Sequence, residues 1–350
     1  MNSINIDIGG IQIGFGYPPY VIAEMSANHN GNIENAYKII DAAKKSGASA
    51  IKIQTYRPDT ITLNCQTEEF KISGGLWNGK TLYELYDEAH TPWEWHPQLF
   101  EYARKLGITI FSSPFDQSAV DFLESLNVPA YKIASFEAID LPLIKYVAST
   151  GKPMIISTGM ANQEEIQEAL DTARTGGCKE LAILHCVSGY PAPASDYNLR
   201  TLSDMINHYG VLTGLSDHTL GNVTAIAAVA MGAVIIEKHL TLDRRRGGPD
   251  DSFSLEPPEM KDLCDDVMTA WHTLGEINYN CKSSEKSNVK FRRSLYFVKK
   301  LTAGELITAE AIRSVRPGFG IAPKHFDSLI GRKVSRDVNY GTPVTFDVLQ

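Results

Sequence analysis

Residues 212–242 read LTGLSDHTLGNVTAIAAVAMGAVIIEKHLTL. Two short apolar runs, Leu212–His218 and Val234–Leu242, flank a stretch of helical composition, and each run carries charged and imidazole side chains toward its C-terminal end. Strand, helix and strand in that order make a βα unit with parallel strands. Working outward, six earlier runs of the same kind recur: Tyr20–Met25, Ala50–Tyr56, Ile108–Phe115, Ala130–Glu137, Met154–Gly159 and Leu181–Tyr190. Eight such runs with helices between them predict an α/β protein built on a closed (β/α)8 TIM barrel. An open doubly wound sheet is the competing architecture. It is disfavoured because no run leads into a Gly-rich dinucleotide turn, and because polar residues recur at the C-terminal ends, where a barrel builds its active site.

The segments between the runs carry helix signals. Asn32 can cap a helix whose apolar face is Ala36, Ile39, Ile40 and Ala43 and which Gly47 can end in a left-handed turn. Asn162 and Glu165 have capping-box spacing. Before the first run, Ile4–Ile8 and Ile11–Phe15 flank Gly9-Gly10, a hairpin signal, and the hairpin is expected to plug the barrel floor. The chain of 350 residues exceeds a barrel of ~250 residues. We expect the barrel domain with its hairpin over 1–280, a polar linker over 281–290 (CKSSEKSN in its first eight residues) and a small domain over 291–350.

A formal net charge of −8 argues against non-specific nucleic-acid binding, which needs a basic surface. Five scattered cysteines, never spaced CxxC, argue against a disulfide scaffold or a zinc knuckle. With neither a signal-like N-terminus nor an apolar run long enough for a membrane span, the expected compartment is the cytoplasm, with no membrane partner.

Lys52 and Gln54 share a face of one strand; in YKIASFE, Ser135 and Glu137 share a face, while Lys132 needs a local bend to join them. A lysine pointing into a barrel must meet an anion. Together with Ser113, Ser157, Ser188 and Ser216, the two lysines suggest a pocket for phosphate and carboxylate groups. His218 and His239, on neighbouring strands, can reach one divalent ion with positions left open for substrate or water. Asp217 is expected to orient an imidazole, and Glu237 to do likewise or to join the ion. Glu24 can act as a general base or hold a hydroxyl, and Asp250 can accept a sugar hydroxyl or be a solvated loop acid.

The segments ANHNG (27–31), KIQTY (52–56), FSSPF (111–115), YKIASFE (131–137), ISTGM (156–160), LHCVSGYPAP (184–193), GLSDHT (214–219) and EKH (237–239) resemble the sialic-acid synthase family. Residues 294–320 look like that family's C-terminal antifreeze-like, or SAF, domain. The resemblance implies condensation of phosphoenolpyruvate with an amino-sugar aldehyde. It implies that His218 and His239 bind Mn²⁺, with Mg²⁺ or Co²⁺ as alternatives, and that Lys52, Ser113, Lys132, Ser135, Ser157, Ser188 and Ser216 grip phosphoenolpyruvate. Ser188 departs from the Asn of the sialate-forming branch. Gln54, Tyr190 and Asp250 fall on sugar-binding positions, and Arg316 on an arginine that reaches a partner's site, which implies a domain-swapped homodimer. Glu24 and Glu137 are the candidates for positioning or deprotonating the attacking water. MSANHNG, Phe136, GGLW (74–77) and LYELYDEAHTPWEWH (82–96) resemble the pseudaminic-acid branch, whose acceptor is a 6-deoxy diacetamido hexose; GGPDD (247–251) looks as much like the sialate branch, and a legionaminate acceptor is the other alternative. Two rival classes are a lysine Schiff-base aldolase using Lys52 or Lys132 and a sugar-binding protein.

Overall fold

The structure, a computed structural model, describes residues 4–350, and the chain divides after Gly275 into two compact units. In the first unit, the hairpin strands β1 (Ile6–Ile8) and β2 (Ile11–Ile13) turn at Gly9 and Gly10, both at positive φ. Eight parallel strands follow: β3 (Tyr20–Glu24), β4 (Ala50–Thr55), β5 (Thr109–Pro114), β6 (Tyr131–Ile133), β7 (Met154–Ser157), β8 (Leu181–Cys186), β9 (Leu212–Asp217) and β10 (Ile235–His239). Each pairs with its sequence neighbour, and β10 pairs with β3 to close the barrel.

Alternation along the strands sorts the side chains into an outer and an inner set. The outer set, which includes Val21, Ile51, Ile133, Ile183 and Ile236, packs with the helices in one large core. The inner set is layered. Tyr20, Ile22, Ala50, Phe111, Ile155, Leu212 and Ile235 form an apolar lower layer that joins Ile6, Ile8 and Ile13 of the hairpin, so the hairpin seals the N-terminal end. One step further along the same strands, the inner residues are Glu24, Lys52, Ser157 and Glu237. The interior is tight: a Cβ on Gly214 would lie 2.4 Å from the Ile235 carbonyl oxygen, so β9 tolerates only glycine there.

The helix Ile33–Ser46 starts at Asn32, whose side chain accepts from the Glu34 amide, and stops at Gly47 with φ 88°. Asn162 and Glu165 form the reciprocal cap of the helix Gln163–Thr175. Several strands stop earlier than their apolar runs. After Ile133 the chain enters a 3-10 turn over Ser135–Glu137, and after Cys186 it leaves the sheet before Tyr190.

The second unit is built from short pieces. Among them, β11 (Ser294–Phe297) pairs antiparallel with β12 (Ile312–Val315) over a core of Leu295, Phe297, Ile307, Ile312, Ile321 and Val344. The stretch before it, within the segment expected as a polar linker, is a 3-10 helix over Ser283–Phe291 with no buried residue. Among the described residues, no helix is long and apolar enough to cross a membrane.

Candidate active site

The polar inner layer sits at the C-terminal mouth. Lys52 Nζ lies 2.7 Å from Glu24, 3.7 Å from Glu237 and 3.4 Å from Ser113 Oγ, while Lys132 Nζ lies 3.7 Å from the other Glu237 oxygen. Ser216 Oγ donates to Glu237 at 3.0 Å. All six side chains are buried. Lys132 faces inward by plain alternation, since Tyr131 and Ile133 on either side pack outward; the expected bend is the 3-10 turn Ser135–Glu137, which lies beyond it. Two ammonium groups thus face two carboxylates, an arrangement that an incoming anion can rearrange.

The charges respond to burial and to each other. Burial works to lower Lys52, but the Glu237 and Glu24 carboxylates outweigh it and hold the ammonium above its ordinary range. Burial pushes Glu24 up, with Lys52 opposing and Glu237 adding to the rise. For Glu237 the lysines win over burial and the carboxyl is held down. Burial lowers Lys132, against the pull of Glu237. Glu137 lies to one side with a buried, unbonded Oε2, and burial pushes it up to about 7.

A second group gathers where three loops leave the barrel. A Cβ on Gly159 would lie 2.3 Å from Ser188 Oγ and 2.8 Å from Ser135 Oγ, and the Gly159 amide donates to Ser135 Oγ at 3.2 Å. Ser157 Oγ and Ser188 Oγ are buried without hydrogen-bond partners. Unpaired buried hydroxyls are unfavourable unless something binds them.

The imidazoles of His218 and His239 are neighbours, with ring centroids 5.4 Å apart. His218 Nδ1 lies 2.9 Å from the Val187 carbonyl oxygen, which can only accept, so in the neutral ring Nδ1 carries the proton and Nε2 keeps the lone pair. Burial lowers His218, but Cys186 and the Val187 carbonyl outweigh it and raise it overall. His239 Nδ1 has no hydrogen-bond partner and lies 3.9 Å from Asp250. Burial, followed by His218 and the lysines, holds His239 well below its usual value, hence neutral. Among the described residues, no group of three or more His, Cys, Asp or Glu is arranged to hold an ion.

Asp250 is buried rather than solvated. It accepts from Ser26 Oγ at 2.5 Å, and Gln54 Nε2 donates to both Ser26 at 3.0 Å and Glu24 at 3.1 Å. Tyr190 packs on His218, ring centroids 4.5 Å apart, and on Phe253 at 5.2 Å. Beside this group opens a cavity of about 360 Å³, reached by Gln54, Glu137, His239 and Asp250 and otherwise mostly apolar. Arg316 is exposed on the turn after β12, in the second unit.

Two expectations need correction. Asp217 orients neither imidazole: as alternation requires, it points outward and pairs with Lys238 Nζ at 2.8 Å, while its other oxygen accepts from the Thr219 amide and hydroxyl. Glu237 faces Lys52 and Lys132 and hydrogen-bonds neither imidazole, which corrects its expected orienting role. Sequence reasoning also missed Ser26, Gly159, Tyr197 and Phe253. Tyr197 accepts the His218 amide at 2.7 Å and donates to the Ser216 carbonyl at 3.1 Å, pinning the end of β9, and only tertiary structure brings it there.

Comparison with known proteins agrees with this geometry. The NeuB family model matches residues 39–279 and the SAF domain model residues 292–350. A pseudaminic acid synthase of Campylobacter jejuni is 45% identical over 322 residues, covering 92% of this chain and 94% of that protein. An N,N'-diacetyllegionaminic acid synthase of Legionella pneumophila is 35% identical over 336 residues, covering 95% and 94%. The crystal structure of a Leptospira borgpetersenii N-acetylneuraminic acid synthetase in complex with citrate superposes with TM-score 0.72 at 32% identity, covering 82% of this chain and 95% of that one. With a model match over most of its barrel and relatives of this similarity along nearly its whole length, the chain belongs to the NeuB family.

Proposed function

We propose that the chain condenses phosphoenolpyruvate with 2,4-diacetamido-2,4,6-trideoxy-L-altrose and water, giving pseudaminic acid and phosphate. The observation that carries this reading is the two-part mouth: a floor of Lys52, Lys132 and serines beside a pair of imidazoles. The first part suits a phosphorylated carboxylate, the second a carbonyl acceptor. The higher identity to a pseudaminic than to a legionaminic acid synthase, 45% against 35%, supports the choice of sugar.

Lys52 and Lys132 take the negative charges of phosphoenolpyruvate in exchange for Glu24 and Glu237, and Ser113, Ser135, Ser157, Ser188 and Ser216 supply donors around them. Gln54, Tyr190 and Asp250 orient the sugar's hydroxyl and amide groups, and Arg316 joins them from a partner chain in a domain-swapped homodimer. His218 Nε2 and the unpartnered His239 Nδ1 fit a divalent ion, Mn²⁺ first and Mg²⁺ or Co²⁺ as alternatives, with substrate and water oxygens completing its shell. When bound, such an ion supplies Lewis acidity at the acceptor's aldehyde oxygen.

Carbon 3 of the enol ester attacks the aldehyde carbon, whose π pair moves to oxygen and takes up a proton to become a hydroxyl. Water adds to carbon 2 and gives up one proton. The carbon 2 to bridging-oxygen bond then breaks as the new carbon 2 hydroxyl becomes the ketone, its second proton leaving with the phosphate. Once phosphoenolpyruvate draws Lys52 away, Glu24 is a buried carboxylate with a raised proton affinity, suited to taking the water's proton; Glu137 is the second candidate. Lys52 is held charged by Glu24 and Glu237, which disfavours it as a Schiff-base nucleophile.

The test is phosphate release from phosphoenolpyruvate with Mn²⁺ and each acceptor in turn, with product mass confirmed. The 6-deoxy-L-altrose acceptor should give the highest kcat/KM. Preference for N-acetylmannosamine or the legionaminate precursor would refute the choice of sugar, and borohydride trapping of pyruvate on a lysine would refute the reaction class.

A further inference from the structure

The branch-marking segments GGLW (74–77) and LYELYDEAHTPWEWH (82–96) remain without a role, and both lie in the excursion that follows β4. The helix Leu82–Ala89 is firmly started: Thr81 Oγ1 accepts from the Glu84 amide and the Glu84 side chain accepts from the Thr81 amide. Its positions 82, 85, 86 and 89 repeat at i, i+3, i+4 and i+7, which is one face of a helix. The helix packs on the turn Pro58–Ile61 and on the loop Ser26–His29, and Leu85 is buried. The face lines the cavity beside His239 and Asp250.

The rest of the wall is mostly apolar, and aromatic packing fixes it in place. Tyr86 meets Tyr56 edge-on, with centroids 5.7 Å apart, and Tyr56 meets Phe115 likewise at 5.1 Å. Arg57 lies 4.1 Å over the Trp93 ring, and Trp93 stacks on Phe122 at 4.7 Å, anchoring both ends of the excursion to the barrel. Trp77 reaches back over the mouth: its Nε1 donates to the Pro249 carbonyl at 3.0 Å, next to Asp250, and its ring lies 5.8 Å from Tyr190. The cavity thus carries Gln54, Glu137, His239 and Asp250 in a wall otherwise built largely from Trp77, Leu82, Leu85, Tyr86, Phe115 and Phe136. An apolar face of this extent left facing a cavity is unfavourable unless an apolar group fills it.

Resting on the function proposed above, we infer that the excursion 57–95 is the specificity wall for the acceptor sugar. Its apolar chamber receives the methyl-bearing end, carbons 4 to 6 with the distal acetamido methyl, while the aldehyde end stays at the imidazoles. An open-chain hexose held by its aldehyde near His239 has its carbon 6 several bonds away, on the chamber side. A 6-methyl group matches the apolar part of that wall, against which a 6-hydroxyl would give up its water.

The test uses the full chain with Mn²⁺ and compares the 6-deoxy diacetamido acceptor with its 6-hydroxy analogue in the wild type, Trp77→Ala and Leu82→Asn. One methyl group in such a pocket changes kcat/KM by roughly 10- to 200-fold. We expect the variants to lose roughly ten- to hundred-fold in kcat/KM for the 6-deoxy acceptor. The loss should be smaller for the analogue, with KM for phosphoenolpyruvate unchanged. Equal losses on both sugars, a parallel rise in KM for phosphoenolpyruvate, or variants that keep the wild-type preference would overturn the chamber alone. A wild type that prefers the 6-hydroxy analogue would overturn both the chamber and the proposed acceptor.

Discussion

Lys238 and Asp217 form an ion pair with side chains 1% and 0% exposed, and their Cα atoms face each other in the β9–β10 register. The two strands that carry Ser216, His218, Glu237 and His239 on their inner faces are therefore clasped from behind. Lys238→Met removes one charge and leaves the other in the core, a change that costs about 3–5 kcal/mol. Asp217 keeps its bonds from the Thr219 amide and hydroxyl, both 2.8 Å, so the lower end, about 3 kcal/mol, is expected. Adding Asp217→Asn removes the stranded charge and keeps an acceptor for Thr219, so the double variant should return to within about 1 kcal/mol of wild type. Denaturant unfolding of the four members of the cycle gives the coupling directly. The double variant should still turn over more slowly, since small displacements at a reacting centre can cost on the order of 10²-fold. A single variant that loses less than about 1 kcal/mol, or a double variant no more stable than Lys238→Met, would refute the reasoning.

Glu137 gives a pH signature. Burial pushes its folded carboxyl up to about 7 from an ordinary 4.5, so between those values the folded state holds a proton that the unfolded state has released. Stability on this account falls as pH rises through that window, and Glu137→Gln should raise stability at pH 8 by up to about 3 kcal/mol but leave it unchanged below pH 4; equal effects at both pH values would exclude the assignment. His218→Ala should abolish metal-stimulated phosphate release while the thermal transition persists, and full activity would remove the imidazole from the site. Arg316→Ala should weaken acceptor use far more than phosphoenolpyruvate binding; unchanged affinity for both would mean the arginine does not enter the mouth.

The sequence was legible where one periodicity dominated. Eight apolar runs with polar ends located the barrel strands to within a few residues, because a residue one step beyond Ile22, Ala50, Ile155 or Ile235 had to be the next to face inward. The same alternation also implied that Asp217 and Lys238 face outward, yet the chemistry of a neighbouring imidazole drew the assignment of Asp217 the wrong way. Runs such as Ala130–Glu137 outlasted their strands because apolar composition does not mark where a 3-10 turn takes over. Contacts between distant segments left no local trace: Ser26 with Asp250, Tyr197 with the end of β9, and Phe253 against both imidazoles depend on loops converging at the mouth. The Leu82, Leu85, Tyr86, Ala89 stripe was readable as a helix face, but periodicity alone cannot say whether such a face meets protein or ligand.

Crystals soaked with Mn²⁺ and phosphoenolpyruvate, with data collected at the manganese edge, probe the whole arrangement in one measurement. The anomalous peak should lie between His218 Nε2 and His239, with the phosphorus beside the lysine floor of the barrel. An ion that avoids both imidazoles, or an enol ester bound away from Lys52 and Lys132, would contradict the account.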